Sequence, residues 1–137
     1  MSETLGLTAA DAPRFIALSA RFVAEGDLEA ATAAAQAAVA CDGESIDAVH
    51  AYGVALARTK EFSRAAVCFQ KVLDKRPDDV AEWTNLGECF LSALRYPEAA
   101  DAFRKAMELD PQSEHPAGRR ARAIVAKTLM RLQKEQK

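Results

Sequence analysis

Residues that favour strands are scarce in this sequence of 137 residues, which holds two tyrosines, one tryptophan and six phenylalanines. Alanine is abundant instead, and apolar residues recur at spacings of three and four, a period that predicts helices. No stretch approaches the ~20 consecutive apolar residues that a membrane-spanning helix needs, so we expect no membrane insertion. The sequence therefore predicts an all-α protein.

A strong net charge and a metal-binding arrangement of cysteines are also lacking. The formal net charge is only −2, and a nucleic-acid partner would require a basic face, so we expect none. Cys41, Cys68 and Cys89 follow no metal-ligand spacing, which predicts reduced thiols that fill a core. The first residues include neither the basic segment nor the apolar segment of a signal peptide. Together these absences predict a cytoplasmic protein.

A catalytic constellation is missing as well. The only histidines, His50 and His115, form no metal-binding pair, and the sequence contains no glycine-rich phosphate loop. A cysteine nucleophile would need a neighbouring base and an electropositive setting, whereas Cys68 and Cys89 occupy packing positions in apolar runs. We therefore expect no enzyme activity, no cofactor and no metal site.

What the chain does have is an internal repeat with a period of about 34 residues. Four pairs keep this spacing: Gly53 and Gly87, Ala65 and Ala99, Phe69 and Phe103, and Pro77 and Pro111. Such a fixed period marks a repeat architecture. The segment DVAEWTNLGECFLSALRYPEAADAFRKAMELDP closely resembles a tetratricopeptide repeat, with Trp83, Leu86, Gly87 and Phe90 on its first helix and Ala99, Phe103 and Ala106 on its second.

This resemblance implies a superhelix of three helix-turn-helix repeats plus a C-terminal capping helix, in a single domain over residues 1–137. We expect the repeats at about residues 12–45, 46–79 and 80–113. Seven helices are predicted, at about residues 9–25, 28–41, 45–58, 62–74, 79–92, 96–109 and 115–135. The first repeat has Ser19 in place of the glycine and Ala35 in place of the phenylalanine, so we expect it to fray first.

Particular residues are expected to shape the repeats. Gly53 and Gly87 are small because the two helices of a hairpin cross there, and Phe69 and Phe103 are expected to fill the gap between one repeat and the next. The TAAD segment that begins at Thr8 resembles a capping box at the start of the first helix.

The capping helix is expected to be two-sided. Its packing side would comprise Ala117, Ala121, Ile124, Val125 and Leu129, and its solvent side Arg119, Arg120, Arg122, Lys127 and Arg131. Residues 1–50 hold two basic and eight acidic residues, while residues 111–137 hold seven basic and two acidic ones. Two interpretations stay open: the basic end solvates the cap, or it orients an acidic partner or a second copy of the chain.

The first helices of the repeats would line a concave groove, where the family resemblance implies that a protein or peptide client binds. The expected partner-binding residues are Ile16, Ala20, Val23, Ala51, Val54, Arg58, Asn85, Leu91, Arg119 and Arg122. The apolar members would receive the anchors of an extended client segment, and the polar members would orient it. For Ile16 and Val23, packing between helices is the competing interpretation.

Some tetratricopeptide co-chaperones grip the acidic C-terminus of heat-shock chaperones with lysines, asparagines and an arginine. At the matching positions this chain has Ile16, Ala20, Ala51, Ala81 and Asn85. Without cations there, a carboxylate pair has no charged partner, which argues against this function.

The segments LGECFLSALRYPEAADAF and HPAGRRARAIVAKTL resemble the small bacterial chaperones of type III secretion translocators. That resemblance implies a cytosolic, non-catalytic chaperone or adaptor, with a homodimer as one possible state. Two alternatives stay open: a structural scaffold subunit of a multiprotein assembly, and an accessory domain of an enzyme.

Overall fold

The computed structural model describes residues 6–136 and contains only helices within that range. Seven α-helices follow a short 3-10 turn at Ala9–Asp11. Their bounds are α1 Ala12–Glu25, α2 Leu28–Cys41, α3 Ile46–Arg58, α4 Phe62–Lys75, α5 Val80–Ser92, α6 Tyr96–Leu109 and α7 Pro116–Glu135. The all-α prediction is confirmed. The first helix differs most from its predicted bounds, because residues 9–11 form the 3-10 turn rather than the start of α1.

The helices pair into antiparallel hairpins, α1 with α2, α3 with α4, and α5 with α6. They belong to two compact units. The first unit ends at Lys75 and contains α1 to α4, and the second begins at Arg76 and contains α5 to α7. The single domain expected from the sequence stays a prediction.

Polar side chains cap the N-termini of the 3-10 turn and of two α-helices. The Thr8 hydroxyl accepts a hydrogen bond from the Ala10 N–H at 3.2 Å, and the Asp11 carboxylate accepts one from the Thr8 N–H at 2.8 Å. The predicted capping box is therefore present, but it caps the 3-10 turn rather than α1, whose own N-cap residue Asp11 makes no side-chain bond to the N–H groups of that helix. Ser45 and Asp79 cap α3 and α5 through bonds from backbone N–H groups at 3.1 Å.

The turn inside each hairpin uses the same left-handed backbone position. Gly26, Lys60 and Leu94 stand one repeat period apart and have φ angles of 80°, 67° and 62°. Only glycine adopts this region without steric cost. The repeat period therefore extends to backbone geometry, although two of the three turns use a side chain that the position disfavours.

The crossing of each later hairpin is built from a glycine and a phenylalanine. A Cβ atom on Gly53 would lie 2.9 Å from Phe69 Cε1, and one on Gly87 would lie 2.6 Å from Phe103 Cε1. Both rings are buried, with exposed fractions of 2% and 3%. The predicted need for glycine is confirmed, but each ring packs against the glycine of its own hairpin rather than only between repeats.

Two expectations about packing need correction. Cys68 and Cys89 are buried as predicted, whereas Cys41 is only half-buried because it is the last residue of α2. In α7, Ala117 and Ala121 are buried, but Leu129 is 55% exposed. The reason is helix length: α7 has 20 residues, whereas α5 and α6 have 13 and 14, so α7 continues past the hairpin on which it packs.

Candidate partner-binding surface

In the first unit, α1 and α3 occupy equivalent places in consecutive hairpins and pack beside each other. Next to them is a core cluster of three small buried residues, Ala31, Ala35 and Ala55. Val23 and Ala51 pack against this cluster and are only half-buried. Both therefore take part in the core and also keep exposed surface.

Five of the predicted residues form what we call the α1–α3 face: Ile16, Ala20, Val23, Ala51 and Val54. Ile16, Ala20 and Val23 follow a spacing of four and three on α1, and Ala51 and Val54 follow on α3, so each set lies along one side of its helix. Ala20 is exposed and the other four are half-buried. No member of the face carries a charge, so its exposed surface is aliphatic.

Hydrogen bonds across the first unit hold this face in place. The buried Ser19 hydroxyl on α1 donates to the Ala31 carbonyl on α2 at 2.8 Å. The Tyr52 hydroxyl on α3 accepts from Arg64 Nη2 at 2.5 Å and from Gln36 Nε2 at 3.2 Å. These bonds join all four helices of the unit in pairs. The sixth predicted residue of the unit, Arg58, is exposed at the end of α3.

In the second unit, Asn85, the polar residue predicted on α5, already has a hydrogen-bond partner within the unit. Asn85 Oδ1 accepts a hydrogen bond from Arg120 Nη2 of α7 at 3.1 Å. Arg120 also pairs with Glu88, with its Nη2 3.0 Å from the carboxylate. Leu91 is half-buried near the end of the same helix. Arg120, which the sequence assigned to solvent, therefore joins α7 to α5.

The other two predicted arginines hold the connection between α6 and α7. Arg119 Nη1 donates to the Ser113 and Glu114 carbonyls at 2.9 Å. Arg122 Nη2 donates to the carbonyls of Met107 at 3.3 Å and Pro111 at 3.5 Å. Each guanidinium group thus bonds to backbone oxygens of its own unit.

Asp110 completes this connection, and sequence reasoning missed it. Its carboxylate is buried and accepts bonds from the N–H groups of Glu114 at 2.9 Å and His115 at 3.1 Å. A Cβ on Gly118 would lie only 1.9 Å from Asp110 Oδ2. A glycine near the start of a helix that is otherwise rich in good helix formers was the available signal, because glycine weakens a helix interior.

The hydrogen bonds of two buried hydroxyl side chains, Thr84 and Ser19, were also not predicted. Thr84 is fully buried, with its hydroxyl 3.0 Å from both the Val80 and the Ala117 carbonyl oxygens. Both residues join helices through a short hydroxyl rather than through apolar packing. Ser19 was recognised as the residue in the glycine register, but its hydrogen bond was not predicted, and nothing in the sequence around Thr84 signalled its role.

The chemistry of the described residues offers no metal site. Within residues 6–136, no group of three or more histidine, cysteine, aspartate or glutamate side chains could hold a metal ion. Burial raises the pKa of the Cys68 thiol, although Lys71 and Arg64 act in the opposite direction. A buried thiol with a raised pKa is a poor nucleophile. None of the helices in this range is both long and apolar enough to span a membrane.

Part of the chain matches a known family: residues 53–114 match the tetratricopeptide repeat family. Together with the hairpins, their regular period and the glycine–phenylalanine crossings, this match identifies tetratricopeptide repeats in this part of the chain. Such repeats are protein-interaction scaffolds that bind proteins or peptides.

Among curated proteins, a peroxisomal targeting signal receptor of Candida albicans is 39% identical over 59 residues, which is 43% of this chain and 10% of the receptor. The chain thus spans about a tenth of that relative's length. Among solved structures, the type III secretion translocator chaperone SycD of Yersinia enterocolitica superposes with a TM-score of 0.75 at 16% identity, covering 93% of this chain and 96% of SycD.

The first tetratricopeptide domain of Spaghetti (RPAP3), bound to the HSP90 peptide SRMEEVD, also superposes with a TM-score of 0.75. Its identity to this chain is 15%, with 90% of this chain and 97% of that domain covered. At these identities, both structures establish the shared fold.

Proposed function

We propose that this protein is a non-catalytic chaperone or adaptor that holds an extended segment of a client protein through apolar anchors. The observation that carries the proposal is the α1–α3 face: a half-exposed, uncharged, aliphatic surface on helices joined by hydrogen bonds. A contiguous apolar surface often marks a binding site.

The side chains of the face suit apolar anchors. Ala20 and Ala51 are small and leave room for an incoming side chain, while Ile16, Val23 and Val54 supply the apolar contacts around it. Burying one aliphatic or aromatic anchor contributes ~1.5–3 kcal/mol. Two or three anchors, reduced by the cost of ordering the segment, correspond to a micromolar dissociation constant for a short peptide.

The polar residues of the predicted set would orient the client. Arg58 is the exposed cation at the end of α3 and would bind a carboxylate or a carbonyl of the segment. Asn85, Leu91, Arg119 and Arg122 remain in the proposed set. The proposal rests less on Arg119 and Arg122, because their guanidinium groups already donate to backbone carbonyls of the chain.

For the client, we favour a secreted or membrane-active protein that must be kept from aggregating in the cytoplasm. The resemblance to the translocator chaperones supports this class of client, and the free cysteines of the chain suit a reducing compartment. An acidic C-terminal peptide such as SRMEEVD fits poorly. At the matching positions the only polar residue is Asn85, and its oxygen accepts a bond from Arg120.

The test compares substitutions on this face with matched ones elsewhere on the same unit. Ala20→Glu and Val54→Glu place a charge against the proposed anchors. Ala33→Glu on α2 and Val67→Glu on α4 make the same changes at exposed positions of the second helices. Each variant serves as bait in a pull-down from the native host, followed by mass spectrometry. Circular dichroism and Trp83 fluorescence confirm that it is folded.

We expect the wild type and the two controls to retain one stoichiometric client that both face variants lose. Retention by the face variants together with loss by either control would contradict the proposal. Capture of a fixed complex of many subunits by all the variants would instead support a scaffold role. The peptide SRMEEVD should show no saturable binding in calorimetry.

A further inference from the structure

Large apolar side chains are exposed mainly in the second unit. Among the described residues, six large hydrophobic side chains are exposed, and five of them belong to this unit: Leu94, Tyr96, Leu129, Met130 and Leu132. Their exposed fractions range from 49% for Leu132 to 69% for Leu94. Exposed apolar residues scattered singly are ordinary, whereas a group at one place marks an interaction surface.

Contacts within the unit place all five residues at one end of it. The helix α7 runs parallel to α5, since Thr84 reaches the carbonyl of Ala117, 33 residues later, and Arg120 reaches Glu88, 32 residues earlier. Because α5 ends at Ser92, the same offset places Leu129 about one helical turn beyond that end, next to the turn between α5 and α6.

Contacts with α6 give the same result independently. The two helices are antiparallel, and Arg122 lies opposite Met107. Each step toward the C-terminus of α7 is therefore a step toward the N-terminus of α6, so the C-terminal end of α7 lies at the end of the hairpin where α6 begins. Leu129, Met130 and Leu132 thus lie at the same end of the unit as Leu94 and Tyr96. We call these five residues the apolar end.

The cations of α7 do not obstruct its part of this surface, and Arg95, which stands between Leu94 and Tyr96, is paired with Glu98. Val125, Leu129 and Leu132 follow a spacing of four and three and form one stripe along α7. At 100° per residue, Lys127, Arg131 and Lys134 fall on the opposite side of the helix. If an acidic surface or an anionic bilayer covered the stripe, these cations would face away from it and could not contribute to binding. If a second, identical stripe covered it, the cations of both helices would point outward and would not repel each other.

We propose that the apolar end binds a second copy of this chain, with the α7 stripes of the two protomers packed antiparallel across a two-fold axis. The contact is isologous, so it closes as a dimer and does not extend into a filament. Met130 lies on the other side of α7 from the stripe, so the contact draws on Leu94, Tyr96, Leu129 and Leu132. These four exposed side chains offer on the order of 400 Å² per protomer, judged from ~150–250 Å² for a large side chain. Stable complexes bury ~800 Å² per partner, so this dimer forms at micromolar and higher concentrations.

Sedimentation velocity and light scattering over a range from about 1 to about 500 μM test the proposal directly. The wild type should change from monomer to dimer within this range. The double variant Leu129→Glu/Leu132→Glu should stay monomeric throughout. The matched control Lys127→Glu/Arg131→Glu also changes two residues of α7, but on its opposite side, and should still dimerise. All these positions are exposed, so circular dichroism should show unchanged helicity.

A second measurement locates the contact. In a Cys41→Ser background, Leu129→Cys should be crosslinked to itself by a short bis-maleimide, and Lys127→Cys should not. A wild type that stays monomeric at every concentration would overturn the proposal, as would association that persists in Leu129→Glu/Leu132→Glu. Binding of a monomeric wild type to phosphatidylserine vesicles, lost in the same variant, would also overturn it by assigning the apolar end to a membrane surface.

Discussion

The first and third hairpins make the same helix crossing with different chemistry. In α5 and α6, Gly87 allows the Phe103 ring to lie against the backbone. In α1 and α2, Ser19 stands in the glycine register, and its hydroxyl donates to the Ala31 carbonyl at 2.8 Å. Ala35 in the phenylalanine register is fully buried, so the first hairpin closes over a small side chain. A repeat can therefore keep its helical hairpin when an aromatic contact is replaced by a hydrogen bond between the two helices.

The aromatic contact and the hydrogen bond contribute different amounts to the free energy of unfolding. A buried phenylalanine contributes through the large apolar area that it removes from water. A buried hydrogen bond has a net contribution of only ~1 kcal/mol. We therefore expect the first hairpin to be the weaker of the two.

Removal of the aromatic contact should have the largest effect. Phe103→Ala leaves a cavity in a site that is 3% exposed, and it should lower the free energy of unfolding by ~3–5 kcal/mol. Urea denaturation followed by circular dichroism measures the loss. Val67→Ala, at a side chain that is 50% exposed, is the control and should change little. A cost for Phe103→Ala no larger than that of the control would mean that the ring does not stabilise the crossing.

An exchange of the two small residues should have the next largest effect. Gly87→Ser places a Cβ within 2.6 Å of the Phe103 ring, and overpacking of this kind costs ~1–3 kcal/mol. Ser19→Gly removes one hydrogen bond and creates no clash, so it should cost only ~1 kcal/mol. Thermal denaturation of both variants gives the comparison. Equal costs would show that the two crossings are interchangeable.

Hydrogen exchange can compare the hairpins without any substitution. Residues 12–45 should exchange faster than residues 80–113, because the first hairpin lacks the glycine–phenylalanine contact. Mass spectrometry of peptides from the two segments measures this difference. Slower exchange in residues 12–45 would contradict the ranking.

A smaller effect of opposite sign is expected at the turns. Lys60 has a φ of 67°, whereas Gly26 occupies the equivalent position without strain. Lys60→Gly should stabilise the protein by ~0.5–1 kcal/mol, because glycine removes the steric cost of the left-handed conformation. Gly26→Ala should destabilise it by about as much. The two melting temperatures should move in opposite directions, and a shift in the same direction would refute the strain argument.

The smallest effect concerns thiol chemistry, which leaves stability unchanged. Cys41 is half-buried, whereas Cys68 and Cys89 are buried, so a thiol reagent should modify Cys41 first. Burial raises the pKa of Cys68, so its thiolate fraction at any pH is below that of an ordinary cysteine and its reaction should require a higher pH. Peptide mapping after a short labelling pulse identifies the modified residue. Faster labelling of Cys68 would show that its site opens.

The sequence predicted helix bounds well because the repeat period and the caps can both be recognised from nearby residues. Asp27, Ser45 and Asp79 each accept a hydrogen bond from a backbone N–H of the helix that follows. The roles of the arginines were harder to predict. Arg119 and Arg122 bond to carbonyls that become accessible only where α6 ends and α7 turns back, and spacing within one helix contains no such information.

The five positions of the α1–α3 face were predicted from the sequence. Their half-exposed state could not be predicted, because it depends on how the hairpins pack. Val23 and Ala51 contact a core of alanines that forms only when hairpins pack. The exposed end of α7 could not be predicted either. Periodicity assigned Leu129 to the packing side, but the side of a helix does not reveal how far its neighbours extend.

The connection between α6 and α7 also determines how the chain meets a protease. Pro111, Gln112 and Glu114 are exposed, so accessibility alone would make this segment a cleavage site. A protease, however, binds its substrate as an extended strand. To adopt that shape, the connection must release the N–H groups of Glu114 and His115 from Asp110 and the carbonyls of Ser113 and Glu114 from Arg119. Cleavage is then limited by local opening rather than by exposure.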